Sequence, residues 1–301
     1  MENGLFQAAS GMAMGLIGLP WGAALGDLLQ TGIPNYTAEW IAQFRWVIVV
    51  AGLIVGFLVG LTGVGGGTLL TPLLIVLGVR PTVAVGSDLL YGSLTKLAGT
   101  VQHWQRGSIH WDWVRSMAIG SIPATLAAVY LLHIVQSRVG SADEFVQFSL
   151  GVVLLLATAL LLVNEVFSRL RGKSVETKAM DPQANRHKII LLGIGVGFMV
   201  GLTSLGSGSV VAVALMAFSR LAPSRIVGTN IAHALALVSA AALAHWQLGT
   251  VDVALAANLL VGSLPGVVLG SRLAYYTPAR PLKFGMALLV LVGALKMIRV
   301  F

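Results

Sequence analysis

A chain of 301 residues, 56% hydrophobic and only 10% charged, with a mean hydropathy of +0.88, falls outside the soluble globular class, where charged residues make up about 25%. Its 19 Lys and Arg against 11 Asp and Glu would suggest nucleic acid in a soluble protein; in lipid the same surplus marks cytoplasmic loops, so no nucleic-acid partner is expected. The absence of Cys removes disulfides, thiolate metal sites and thiol catalysis together.

Apolar runs of about 20 residues recur along the chain, which predicts an all-α polytopic membrane protein rather than a barrel. Met1–Gly15 lacks the basic stretch of a cleavable signal peptide. Residues 1–45 form an N-terminal apolar segment and connection. Within them Gly4–Leu29 contains Pro20 and ends near Asp27, and either crosses the bilayer or lies on its surface. Thr31–Trp40 is polar, with Trp40 and Trp46 as interfacial anchors. A first transmembrane repeat occupies 46–168: the legs Trp46–Leu61 and Thr68–Leu77 around a glycine cluster, then helices over Thr82–Trp104, Trp111–Val135 and Phe145–Phe167. A basic linker, 169–188, follows and is expected in the cytoplasm. The second repeat, 189–301, runs Ile189–Phe218, Ser224–Trp246, Val253–Tyr276 and Pro281–Phe301.

The duplication is read residue by residue. Gly56, Gly60, Gly65 and Gly67 match Gly197, Gly201, Gly206 and Gly208 at an offset of 141. After one inserted residue the offset is 142, and Pro81, Gly86, His103-Trp104-Gln105, Gly107, Gly120-Ser121 and Pro123 match Pro223, Gly228, His245-Trp246-Gln247, Gly249, Gly262-Ser263 and Pro265. If the broken segment crosses the bilayer, each half has four crossings and the repeats are parallel; if it dips in and returns, each has three and the repeats are inverted. Inversion moves Arg220, Arg225, Arg272, Arg280 and Lys283 to the linker's side and only Arg45, Lys296 and Arg299 away from it, so the positive-inside bias favours it. Leg length agrees, since 16 residues make about 24 Å of helix against a core of about 30 Å. The fold expected is therefore two inverted pseudo-repeats, each with a Gly-broken re-entrant segment plus three transmembrane helices.

The breaks themselves, Thr62-Gly-Val-Gly-Gly-Gly-Thr68 and Thr203-Ser-Leu-Gly-Ser-Gly-Ser209, are the sharpest chemical feature. Irregular backbone at membrane depth persists only where protein buries it or a wet cavity receives it. Glycines let N–H groups approach a ligand, and the resuming helix offers unpaired N–H groups and a positive dipole end. Paired breaks in two halves point to a transporter's substrate site. The predicted substrate-binding residues there are Thr62, Gly65, Gly66, Gly67 and Thr68 in one half and Thr203, Gly206, Ser207, Gly208 and Ser209 in the other. An isolated GxxxG such as Gly56–Gly60 reads instead as close helix packing. Ser87-Asp88 and Thr229-Asn230 sit at equivalent places one turn into the next helix, and Lys96 lies two turns beyond Asp88. Intramembrane ionisable groups are functional hypotheses by default, so these five join the predicted site, Lys96 as a counter-charge to an anion. His103 with Gln105 and His245 with Gln247 are candidates for coupling or gating, each His being either a proton relay or a helix-end group on the last carbonyls. His233 reads as packing or pore lining, and Pro123 and Pro265 as kinks. No His or acid has metal-ligand spacing, and no nucleophile, base and orienting group come together as an enzyme needs. No cofactor or metal is expected, and nothing in the sequence sets the oligomeric state.

The glycine-rich break, the AVGS and IVGT stretches and the HWQ-x-G ending together resemble the sulfite exporter TauE/SafE family of membrane transporters. The resemblance covers Trp46–Phe301 and is most specific over Gly60–Pro72, Pro81–Ser87 and His103–Ile109, and over Gly201–Ser209, Pro223–Thr229 and His245–Val251. It implies a multi-pass protein of the cytoplasmic membrane that moves a small sulfur-containing anion, such as sulfite, thiosulfate or a sulfonate, with proton coupling. Two departures bear on substrate: the second break reads GSG where the first has GGG, and Val213 replaces Pro72. A passive anion channel is the alternative that the same helix-terminus chemistry would serve.

Overall fold

The computed structural model describes residues 46–62, 67–170, 182, 184–219, 221–274 and 294; the expectations for residues 1–45, most of the linker and Pro281–Phe301 lie outside them. Among the described residues every regular element is a helix: α1 (Trp46–Thr62), α2 (Gly67–Val76), α3 (Pro81–Gln105), α4 (Trp111–Val139), α5 (Asp143–Leu170), α6 (Arg186–Thr203), α7 (Ser209–Phe218), α8 (Pro223–Gln247) and α9 (Val253–Ala274). Four of them, Trp111–Val139, Arg186–Thr203, Ser224–Gln247 and Val253–Leu273, are long and apolar enough to cross a membrane. Their outer faces expose Leu191, Ile194, Val261, Leu264 and Leu269, large apolar side chains that belong in lipid rather than water. Helix α3 is less apolar because it carries Asp88, Lys96 and His103.

Two pairs of helices make the closest contacts, and they are equivalents in the duplication: α1 lies on α9, and α6 lies on α4. Glycine makes both contacts. A Cβ at Gly52 would stand 2.7 Å from the carbonyl oxygen of Leu259, one at Gly56 would strike the carbonyl of Ser263, and one at Gly60 that of Val267. On α6, Gly193, Gly197 and Gly201 meet the carbonyls of Met117, Ser121 and Thr125 in the same way. Bare backbone thus packs on backbone, the small-residue route to close approach in lipid; the packing reading of Gly56–Gly60 holds. Thr125 Oγ1 also donates to the Gly197 carbonyl at 2.7 Å. Contact positions rise together along both members of each pair, so α1 runs parallel to α9 and α6 parallel to α4.

The equivalents α3 and α8 behave oppositely. Gly99 faces Ile231, the Ser108 carbonyl lies against Gly228, and the Thr250 carbonyl lies against Gly86. The end of each helix therefore meets the start of the other, and the two run antiparallel. These directions sort the charges. Arg106, Arg115, Arg186, Lys188, Arg225 and Arg272 gather at one end of the bundle, with Arg80 and Arg138 at the other.

Each HWQ triplet ends its helix in one motif. Gly107 and Gly249 are left-handed, at φ 62° and 68°. The Gly107 N–H reaches the Trp104 carbonyl and the Ser108 N–H the His103 carbonyl; Gly249 to Trp246 and Thr250 to His245 repeat the pattern. This double bond pattern is a Schellman cap, which requires a residue at ease with positive φ at the position glycine fills. Pro123 and Pro265 lie inside helices that continue through them.

Candidate functional site

The second break is fully described. Helix α6 ends at Thr203, Ser204 turns left-handed at φ 62°, Gly206 follows at φ 94°, and α7 begins at Ser209. The break sits at mid-bundle, because Gly201 just before it packs on Thr125 and Ala128, in the middle of α4. No side chain caps the start of α7, so its first-turn N–H groups keep their donor capacity. Ser209 Oγ is buried there without a hydrogen-bond partner, and so is Asn230 Oδ1 from the start of α8. The Asn230 amide Nδ2 donates to the Gly208 carbonyl at 2.9 Å, fixing which end of that side chain is left over. Ser207 is buried nearby. Thr203 is committed to its own helix: its hydroxyl donates to the Met199 carbonyl at 2.7 Å and accepts the Leu205 N–H. Of the first break, Gly67 opens α2 and Thr62 closes α1, while Gly65 and Gly66 lie outside the described residues. Thr62 and Thr68 are placed in their helices without described side chains.

Asp88 ties α2, the helix after the first break, to the second break. Thr71 of α2 donates to its Oδ2 at 2.7 Å, and Ser204, in the second break, donates to the same oxygen at 2.8 Å. The carboxyl is 2% exposed. Such burial needs hydrogen bonds to be tolerated, and the two hydroxyls supply them from opposite halves of the chain. Lys96 lies two turns along α3 and is half-buried. Its Nζ folds back over Gly92, 3.3 Å from where a Cβ would stand there. The side chain leans toward the helix N-terminus, as long helical side chains do, and the bare glycine gives it room.

Ser87 and Thr229 form a symmetric pair of ties between halves. Ser87 Oγ accepts the Asp252 N–H at 2.9 Å and Thr229 Oγ1 accepts the His110 N–H at 2.9 Å, so each fastens the chain entering the other half's next helix. His103 and His245 are built into the helix caps. Their Nδ1 atoms sit 2.8 Å from Ser108 Oγ and 2.9 Å from Thr250 Oγ1, and each hydroxyl also lies 3.0 Å from its own histidine's carbonyl. His245 alone goes further: its Nε2 is 3.0 Å from the Gly201 carbonyl, an acceptor, so Nε2 carries a hydrogen. Gln105 and Gln247 are exposed at the helix ends. His233 is buried, with Nε2 2.9 Å from Ser121 Oγ. At the equivalent place stands Tyr91, also buried.

The sequence assigns no site role to Thr71, Ser204, Ser108 or Thr250, and marks Gly201 only as part of the duplication. Two of these carried a usable signal, since a hydroxyl residue follows HWQ-x-G in both halves. It also explains why AVG and IVG hold glycine. A Cβ at Gly228 would stand 2.6 Å from the Ser108 carbonyl and 3.1 Å from His103 Nδ1, and one at Gly86 would strike the Thr250 carbonyl. The two motifs interlock across the halves.

The profile described as Sulfite exporter TauE/SafE matches residues 48–297. "Probable membrane transporter protein YjnA" of Bacillus subtilis (strain 168) is 46% identical over 251 residues, 83% of this chain and 98% of the relative. A "Probable membrane transporter protein" of Xylella fastidiosa (strain 9a5c) is 29% identical over 76% of this chain and 84% of its own. "Sulfite exporter TauE/SafE family protein 1" of Arabidopsis thaliana is 28% identical over 42% of this chain and 28% of that protein. No solved structure matches significantly. A multi-pass helical bundle, with glycine clusters at matching places in its sequence and covered along nearly its whole described length by one profile, belongs to the sulfite exporter TauE/SafE family of membrane transporters.

Proposed function

We propose that this protein is a secondary transporter of the cytoplasmic membrane that moves a small sulfur-containing anion, such as sulfite, thiosulfate or a sulfonate, coupled to protons. One observation carries the reading: an uncapped helix start, α7, opens at mid-bundle beside a buried Ser209 hydroxyl that has no partner. Helix N-termini with free N–H groups and a positive dipole end are anion sites, and a donor buried in lipid without a partner is costly. An oxyanion would take up both. In this reading Ser207, Ser209 and the backbone of Gly206–Gly208 receive the anion with the matching glycines and hydroxyls of the first break. Lys96 compensates its charge from α3. The names of the relatives agree with transport, and the family's description supplies the sulfur oxyanion.

We also read the halves as inverted repeats, 46–168 and 189–301, with α1–α2 and α6–α7 entering the bilayer and returning. The antiparallel run of the equivalent helices α3 and α8 supports this, as does the gathering of Arg106, Arg115, Arg186, Lys188, Arg225 and Arg272 at one end, which would be the cytoplasmic end. Ser87 and Thr229 then hold the halves together, and His103 and His245 act at the caps where the halves meet.

The test is direct. The purified protein is melted with sulfite, thiosulfate, sulfoacetate, taurine or sulfate, because a bound anion raises the midpoint by mass action. The anion that stabilises is then offered to proteoliposomes with and without a proton gradient. Accumulation against the anion's own gradient is expected, and Lys96→Met abolishes it. Flux that only dissipates the anion gradient would make the protein a passive channel, and no stabilisation by any of the anions would refute the site.

A further inference from the structure

Asp88 is the place where proton and substrate meet: we infer that it is the residue that carries the coupled proton, and that its protonation loosens both breaks at once. The inference rests on the transport reading for its purpose, but the site stands on its own geometry. One carboxylate oxygen, Oδ2, accepts two hydroxyl hydrogens, from Thr71 in the helix that follows the first break and from Ser204 inside the second. Those residues come from different halves of the chain, so this one atom is a joint between the two elements proposed to cradle the anion.

At 2.7 and 2.8 Å both hydroxyls stand at hydrogen-bonding distance from Oδ2, and an added proton would compete for that same oxygen. When it adds to Oδ2, the carboxylate becomes a carboxylic acid whose O–H must itself donate. One hydroxyl then has to accept and turn its own hydrogen elsewhere, and the other loses a strong charged acceptor for a neutral one. Ser204 is held in a left-handed conformation at φ 62°, unusual for a residue with a side chain, and the bond to Asp88 is among the contacts that hold it. Weakening that bond frees the turn. When the proton leaves toward the other side, the carboxylate draws both hydroxyls back.

The second half has no such joint. Asn230 stands at the equivalent of Asp88, and Ala212 at that of Thr71. Asn230 cannot take up a proton, and it spends its amide on the Gly208 carbonyl. A duplicated frame therefore carries one titratable joint. Of the charged and titratable groups on elements packed against α3, Asp143, Glu144, Glu165 and Arg169 belong to α5, Arg225, His233 and His245 to α8, and Arg272 to α9; α2 has none. On α3 itself, Tyr91 lies one turn and Lys96 two turns beyond Asp88.

The test is made on the whole protein in lipid, by infrared difference spectroscopy across a pH titration without substrate. A carboxylic C=O band is expected to appear on acidification in the wild type and to be lost in Asp88→Asn, a substitution whose shape the protein already houses at Asn230. In Ser204→Ala, which keeps the carboxyl and removes one donor, the band persists at a displaced pH. In proteoliposomes Asp88→Asn loses proton-driven accumulation. A band that survives in Asp88→Asn, or accumulation that survives there, overturns the assignment. A band that vanishes in Asp88→Asn in a protein that binds and moves no sulfur oxyanion upholds the proton site and refutes the transport reading instead.

Discussion

Two glycines on one helix, Gly195 and Gly197, are predicted to respond to the same substitution in opposite directions. Nothing lies within 4 Å of a Cβ built at Gly195, which faces outward. Gly195→Ala should therefore gain only the helix preference of alanine, about 0.5–1 kcal/mol. At Gly197 the added carbon would strike the Ser121 carbonyl and stand 2.6 Å from the Ser121 Cα. Those atoms are backbone in the middle of α4, so no side chain can swing aside and α6 must draw away from α4. Overpacking of this kind costs about 1–3 kcal/mol. The Thr125 bond to the Gly197 carbonyl, 2.7 Å long, stretches with it, at about 0.6 kcal/mol for an average bond in a membrane interior. The two variants should differ by about 2–4 kcal/mol, with Gly195→Ala the more stable. Thermal unfolding in one detergent, followed by loss of the monodisperse species, ranks them. If Gly197→Ala melts with or above Gly195→Ala, the backbone-on-backbone contact between α4 and α6 is wrong, and the helix directions drawn from it go too.

Other outcomes are equally concrete. Because the chain has no Cys, single-cysteine labelling needs no background removal: Arg115→Cys and Arg225→Cys should react from one face of the membrane, and Arg138→Cys from the other. Reaction of Arg115→Cys and Arg225→Cys from opposite faces would make α3 and α8 parallel. His245→Ala should destabilise more than His103→Ala, by about 1–3 kcal/mol, since it alone leaves a buried carbonyl, that of Gly201, without its donor; equal melting would remove that bond from the account. Gly228→Ala should destabilise as Gly197→Ala does, with the Ser108 carbonyl 2.6 Å from the new carbon, and Gly107→Ala should cost less because only its φ of 62° opposes it.

The helices were legible in the sequence to within a few residues. The expected Thr82–Trp104 and Ser224–Trp246 are Pro81–Gln105 and Pro223–Gln247, because Pro81 and Pro223 fit the first helical turn and glycine closes both ends. The break at Thr203–Ser209 was legible because, Leu205 apart, it consists of glycines and hydroxyl residues, which are poor helix formers. What polar groups do was far less so. Ser87 and Thr229 looked like ligands one turn into a helix, yet each meets a backbone N–H more than a hundred positions away, in Asp252 and His110. A single sequence cannot specify such pairings, because no local pattern fixes which distant turn comes alongside. Ser204 lay in plain view in the glycine-rich string, but its role depends on a positive φ that neighbouring glycines usually take instead. The HWQ triplets drew attention to their histidines, whereas the unremarked hydroxyl five positions on completes each cap.

Mismatch between the halves has a further consequence. In a protein whose two repeats were truly interchangeable, the shape open to one compartment and the shape open to the other would be mirror choices of equal energy, and the resting population would split evenly. In the inverted-repeat carrier proposed above, Asn230 opposite Asp88 and the extra tether of His245 would load one side of that balance. There, making the halves alike at these few positions, by giving 230 an acid or 88 an amide, would tune which compartment the idle carrier faces without touching its hydrophobic frame.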